Sequence, residues 1–198
     1  MKIGIIGAGR LGTSLARLSL NGGHEVAIAN SRGPESLELA TKVLIPGARP
    51  AELTEVVRDT DFVILALPFH QAIQLDKTLF DGKLVIDATN YWAPVEGTIE
   101  VLDASELSSS EYIQQYFDTA RIVKSLNHIA YNELEEHTGT GRVVLVASDD
   151  DDAKQRVVHY IESLGFDASN GGTLAEGLHF QPDTQLFNTR FTRDQLDS

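Results

Sequence analysis

Gly7-Ala8-Gly9-Arg10-Leu11-Gly12 restricts the fold of this chain more than any other stretch. Its glycines, in G-x-G-x-x-G spacing, follow the β-branched apolar run Lys2 to Ile6 directly. They open a helical pattern in which Leu11, Leu15, Ala16 and Leu18 share one face, and Asn21-Gly22-Gly23 supplies the stop. A short buried strand turning into a helix is the context in which such glycines act together. Gly7 then permits the tight turn, Gly9 lets backbone approach a pyrophosphate, and Gly12 lets the helix lie against the strand. The helix N-terminus offers N–H groups and partial positive charge to phosphates. Glycines serving a turn alone are the blander reading.

The rest of the chain alternates in the same way. Glu25 to Ala29, Asp61 to Leu67, Lys83 to Ala88, Arg121 to Leu126 and Arg142 to Ser148 read as buried strands. Helices are expected over Glu35 to Val43, opened by Pro34, over about His70 to Phe80, and over Ala153 to Leu164. This order predicts the α/β class: a doubly wound, mostly parallel sheet of the Rossmann kind with a small C-terminal extension. Residues 1–148 would form the nucleotide-binding domain. Residues 149–198 would add a helix, a short strand and a tail packed on the same domain. Asn90 to Leu107 is a long connection holding the single Trp, and loops of that length are commonly functional. The Asp149 to Asp152 run suits a solvated helix N-terminus. The tail from His179 to Ser198 has no clear period and could be a lid, a packed arm or a disordered end.

The end of the second strand bears on which nucleotide is preferred. A carboxylate about 20 residues beyond the glycines would take the ribose 2′-hydroxyl and select NAD. Here the chain reads Asn30-Ser31-Arg32-Gly33, Asn30 standing 23 residues after Gly7. Ser31 and Arg32 can instead bind a 2′-phosphate through charge-assisted hydrogen bonds, which predicts NADP. An ordinary surface arginine is the alternative for Arg32.

Charge and composition narrow the partners. With 16 basic and 29 acidic residues the net charge is −13, which argues against nucleic acid and against anionic membrane surfaces. The absence of cysteine excludes disulfides, Cys-ligated zinc and thiol nucleophiles, so any redox chemistry must come from a bound cofactor. His128, Glu133 and His137 match no zinc spacing, so no metal is expected. No run approaches 18 apolar residues, and the glycines break the N-terminal apolar run before it resembles a signal peptide. The expectation is a soluble cytoplasmic protein.

Together Lys2 to Gly9, Asn30-Ser31-Arg32-Gly33, Ala66-Leu67-Pro68, Asp87-Ala88-Thr89-Asn90 and Val123-Lys124-Ser125-Leu126-Asn127 resemble the deazaflavin (coenzyme F-420)-dependent NADP oxidoreductases. The likeness covers about residues 1–178. It also extends to the cytosolic NADPH-binding domain of six-transmembrane ferric reductases. It implies a Rossmann domain, often dimeric, that passes hydride between NADPH and a flavin-like acceptor. Implied nucleotide contacts are Gly7, Ala8, Gly9, Arg10, Leu11 and Gly12, then Asn30, Ser31 and Arg32, then Ala66, Leu67 and Pro68. The Tyr91-Trp92 segment and the tail from Glu176 depart from the family pattern, and both fall where an acceptor should bind.

Ligands of such sheets sit outside the carboxyl ends of the strands. There the sequence supplies Phe69, His70, Tyr91, Trp92 and His128 as acceptor-pocket candidates, with aromatic faces for a planar ring. His70, Asn90 and Asn127 are the candidate catalytic residues, since histidine can carry a proton and amides can orient a carbonyl. Hydride transfer between rings needs mainly positioning, which fits a chain without an evident acid–base pair. Among cations, Arg10, Arg32, Lys124 and Arg121 are expected near this edge or its strands.

Three readings remain open. One is an NADPH-dependent oxidoreductase acting on a flavin, a deazaflavin or another small conjugated acceptor. Another is an imine or carbonyl reductase, whose kind adds a helical domain; only 50 residues follow Ser148 here. The third is a non-catalytic NADPH-binding sensor.

Overall fold

In the computed structural model, which describes residues 1–196, Lys2–Ile6 forms β1 and its last four residues are buried. Gly9 caps α1 (Arg10–Asn21), which presses Leu15, Ala16 and Leu18 onto the sheet. The chain continues through β2 (Glu25–Ala29), a 3-10 turn (Pro34–Leu37), α2 (Glu38–Leu44), β3 (Arg49–Pro50), α3 (Leu53–Asp59) and β4 (Phe62–Leu65). Then come α4 (Phe69–Ala72), a 3-10 turn (Lys77–Phe80), β5 (Leu84–Asp87), α5 (Ala93–Glu96), α6 (Glu100–Asp103), α7 (Ser109–Tyr116) and β6 (Arg121–Ser125). The last part holds α8 (Tyr131–Leu134), β7 (Val143–Ala147), α9 (Asp151–Ser163), β8 (Asp167–Asn170), a 3-10 turn (Ala175–Phe180) and α10 (Arg193–Leu196).

The eight strands form one sheet in the order β3-β2-β1-β4-β5-β6-β7-β8. Every neighbouring pair is parallel except β6 and β7. The order reverses at β1 and β4, the crevice where ligands of doubly wound sheets bind. Alternation along the central strands splits the core between two faces. Ile3, Ile5, Phe62, Ile64 and Ile86 face one side with Leu15 and Tyr160; Ile6, Val63, Leu65 and Val85 face the other with Val56, Phe69 and Ile113.

The predicted helix over His70 to Phe80 is a correction. It breaks into α4 and a separate 3-10 turn, because the Asp76 carboxylate accepts from the Thr78 N–H at 3.0 Å and starts a new cap. The long connection from Asn90 carries two helical turns, α5 and α6. In the Asp run, Asp150 caps α9 through the Ala153 N–H at 2.9 Å and also grips Arg121. The tail packs back on the sheet. Phe191 is buried, the Asn188 N–H donates to the His128 carbonyl at 2.9 Å, and Arg142 bridges to Thr192. The last residues of the predicted tail, Asp197 and Ser198, lie outside the described residues. Among the described residues no helix is long and apolar enough to cross a membrane.

Candidate functional site

A groove of about 750 Å³ opens at the carboxyl ends of β1, β2 and β4. The glycine turn forms its floor. Gly7 has a φ of +112°, and a Cβ there would stand 2.2 Å from the Ala66 carbonyl oxygen. At Gly12 a Cβ would meet the Gly7 oxygen at 1.9 Å, whereas a Cβ on Gly9 would meet nothing within 4 Å. Gly7 and Gly12 therefore shape the turn, and Gly9 leaves the open side over which a phosphate can approach. The start of α1 carries no side-chain cap, so its N–H groups are free for an anion.

At the end of β2 the groove is lined by Asn30, Ser31 and Arg32. Asn30 shapes this turn. Its Oδ1 accepts the Arg32 N–H at 2.9 Å, and its amide donates to Ser36 Oγ at 2.9 Å. The Arg32 guanidinium is exposed and has no hydrogen bond or ion pair among the described residues. Glu52, before α3, comes within 3.8 Å of a Cβ placed on Gly33 but does not line the groove. Ala66, Leu67 and Pro68 complete the wall, joined by Leu53, Gln71, Gln74 and Leu75. Those four lie outside any motif, and their only signal is adjacency to the β3 and β4 ends. Leu11 is half-buried against the core and lies outside the groove lining. Arg10 donates to the Tyr131 hydroxyl at 2.6 Å, with its guanidinium 5.4 Å from that ring centre.

His70 also lines the groove, with its Nδ1 2.9 Å from Glu96 Oε2. The same carboxylate accepts the backbone N–H groups of Phe69 and His70 at 3.2 and 3.0 Å. Asn90 and Asn127 bind each other across the ends of β5 and β6. Asn90 Nδ2 donates to the Asn127 carbonyl at 2.8 Å, and Asn127 Nδ2 donates to Asn90 Oδ1 at 3.1 Å. Leu126, just before this pair, holds a φ of +65°, a strained conformation for a residue with a branched side chain.

The other acceptor-side residues are dispersed. Phe69 is fully buried and packs against Tyr91 at 5.4 Å. The Tyr91 hydroxyl donates to Asp103 and accepts the Ile99 N–H. Trp92 remains 42% exposed, and its indole N–H donates to Asp183 of the tail at 2.9 Å. His128 is wholly buried, and its Nε2 accepts the Leu145 N–H at 3.2 Å. The two other expected cations lie on β6, each engaged by carboxylates. Lys124 is buried against Asp87 at 3.6 Å. Arg121 sits at the amino end of β6, clamped by Asp150 and Asp152. Among the described residues no three His, Asp or Glu side chains are grouped to hold a metal.

Burial, then the charges of Arg142 and Lys124, push His128 down to about 3 from an ordinary 6.5. The unfolded chain therefore takes up a proton below pH 6.5 that the folded chain refuses. This stabilisation is complete above 6.5 and is lost as pH falls toward 3, at up to about 1.4 kcal/mol per pH unit. His24, lowered by burial and the N-terminal ammonium, adds in the same direction. Glu133 and Asp150, both held at about 2, weaken the fold only below their ordinary 4.5 and 3.8. Urea midpoints should thus fall between pH 6.5 and 4.5 in the wild type, and fall much less in His128→Gln. An equal slope in both proteins would contradict the assignment.

Comparison with known proteins agrees with this geometry. Residues 2–91 match the model of the family described as NADP oxidoreductase, coenzyme F420-dependent. A hypothetical protein from Sinorhizobium meliloti superposes with a TM-score of 0.85 at 30% identity, over 98% of this chain and 96% of that one. A proposed F420-dependent NADP-reductase from Arthrobacter sp. FB24 gives 0.76 at 26% identity, over 90% and 88%. Residues 2–91 thus resemble this NADP oxidoreductase family, and the chain as a whole shares the Rossmann-like fold of these two solved neighbours. It is also 28% identical to a glycerol-3-phosphate dehydrogenase [NAD(P)+] from Azotobacter vinelandii, over 87% of this chain and 54% of that protein. A Lactobacillus delbrueckii dehydrogenase of the same name is 32% identical over 43% of this chain and 30% of its own length. The chain thus spans about half or less of these curated relatives. An imine reductase from Pseudomonas sp., with a TM-score of 0.63 at 19% identity over 88% and 56%, shares the fold.

Proposed function

We propose that this chain binds NADP(H) in preference to NAD(H) and serves hydride transfer between it and a flavin, deazaflavin or similar conjugated small molecule. The observation that carries this reading is the pairing of an uncapped glycine turn with an exposed, unpaired Arg32 on one groove. Free N–H groups of α1 would hold the diphosphate. Ser31 and Arg32 would hold the 2′-phosphate, and Leu53, Leu67 and Leu75 would supply apolar walls. NADPH, when bound, supplies two electrons and a proton as hydride to the acceptor. His70, which lines the groove with its ring fixed through Nδ1 by Glu96, would offer a proton on the groove side. The Asn90–Asn127 pair, held by its own hydrogen bonds outside the groove lining, would stiffen the adjoining strand ends.

Arg32→Ala should weaken NADPH binding by about 1.5–3 kcal/mol, roughly ten- to hundredfold, as for one hydrogen bond to a charged group. NADH binding should hardly change. Fluorescence titration of both cofactors tests this, and equal losses for both would defeat the NADP assignment. Acceptor identity is read by NADPH oxidation with free flavin, deazaflavin and ferric chelate offered separately. Tight NADPH binding without turnover on any of them would make the chain a binding module.

A further inference from the structure

A second pocket, of about 300 Å³, shares no lining residue with the cofactor groove. It lies where Arg142 enters β7. Because β7 runs against β6, this amino end of β7 stands at the same edge of the sheet as the glycine turn. Arg142, Arg190, His137, Thr140, Phe191 and Thr192 contribute to its wall. Arg142 is only 4% exposed. Its Nη1 donates to Glu133 Oε2 at 2.7 Å, and Arg190 donates to the other Glu133 oxygen at 2.7 Å. Its Nε and Nη2 are buried and have no hydrogen-bond partner among the described residues; the same holds for His137 Nε2.

Those two nitrogens form one edge of the guanidinium, the side-on fork that meets both oxygens of a carboxylate or phosphate. Leaving such donors unpaired away from water costs roughly 1–3 kcal/mol for each group. Glu133 pairs with both guanidiniums and Glu136 also acts on Arg190, so the charges here are balanced while the Nε–Nη2 edge of Arg142 still lacks an acceptor among the described residues. We propose that this pocket binds a small oxyanion, a phosphate or a carboxylate group, on the Nε–Nη2 edge of Arg142, with His137 and Arg190 beside it. This site is independent of the nucleotide reading.

Inorganic phosphate and acetate serve as probes at constant ionic strength. Phosphate also suits the glycine turn, so the two sites are read separately from backbone amide NMR shifts. The expected result is a saturable shift at Thr140, Arg142 and Thr192 that persists in Arg32→Ala. Arg142→Lys keeps a charge for Glu133 but loses the fork, and should weaken that binding at least about tenfold. Arg190→Ala, at a surface position, should weaken it in a chain whose folding is not in doubt. Acetate acting like phosphate assigns a carboxylate or phosphate terminus in general; phosphate alone assigns a phosphoryl group. Shifts confined to residues 7–12, or pocket shifts unchanged in both Arg142→Lys and Arg190→Ala, would overturn the proposal.

Discussion

Replacing Lys124 with methionine is expected to destabilise the fold by about 3–5 kcal/mol, the usual cost of stranding one partner of a buried ion pair. Lys124 and Asp87 are both fully buried and face each other across neighbouring strands at 3.6 Å. Burial holds the Lys124 ammonium below the ordinary lysine range, and Asp87 offsets part of that effect. Asp87 also accepts from Thr89 N–H and Oγ1 at 3.0 and 2.6 Å and from the Ser110 hydroxyl. Lys124 donates to Ser109 Oγ at 3.2 Å. The pair therefore joins β5, β6 and the start of α7. Gly177 lies so close above that a Cβ would come within 2.9 Å of Lys124 Cδ. Urea unfolding of Lys124→Met and of the double variant Asp87→Asn/Lys124→Met separates the contributions. The double variant should recover much of the loss, since it leaves no unpaired charge in the core. If the single variant costs less than about 1 kcal/mol, as an exposed pair would, the pair is not a structural anchor.

Gly12→Ala should be comparably damaging, for steric reasons. The new methyl would overlap the Gly7 carbonyl oxygen at 1.9 Å, so α1 must shift away from the turn. Overpacking of this kind costs about 1–3 kcal/mol and sometimes more, and NADPH binding should vanish with the displaced helix N-terminus. Gly9→Ala supplies the contrast. Gly9 is extended, with φ −77°, and has open space where the Cβ would go. Its substitution should cost no more than about 1 kcal/mol, the ordinary penalty for alanine at a helix N-cap. It should nonetheless impair NADPH binding, because the methyl would project where the phosphate lands. Unfolding midpoints and NADPH titrations on both variants test the pair of statements. Undiminished NADPH binding by Gly9→Ala would remove the turn as the phosphate site.

The strands and glycine turn were legible because their signals are local. Continuous apolar runs mark β1, β4, β5 and β7, and glycine spacing marks the turn. Several elements stand outside this reading, β3, α3 and α7 among them. β3 is two residues long and contains Pro50, too short for any period to register. α3 carries only seven residues. α7 did have a local signature, the Ser108 and Glu111 capping box. The acceptor side was less legible because its contacts join distant segments. Trp92 is tied to Asp183, Asn90 to Asn127, and Glu133 to both Arg142 and Arg190. Lys124 shows the limit most plainly. A lysine at the carboxyl end of a strand suggests a phosphate-facing cation, and only a buried carboxylate in the same row of the sheet turns it inward.

Glu96 has an effect on the groove beyond holding His70. Two helix N-termini open there, those of α1 and α4. The first is uncapped, while the second has its first N–H groups filled by the Glu96 carboxylate. An anion entering the groove meets bare donors at one end and a fixed negative charge at the other. On the proposed reading, the connection after β5 would act as an electrostatic fence that limits how far along the groove a bound diphosphate could slide.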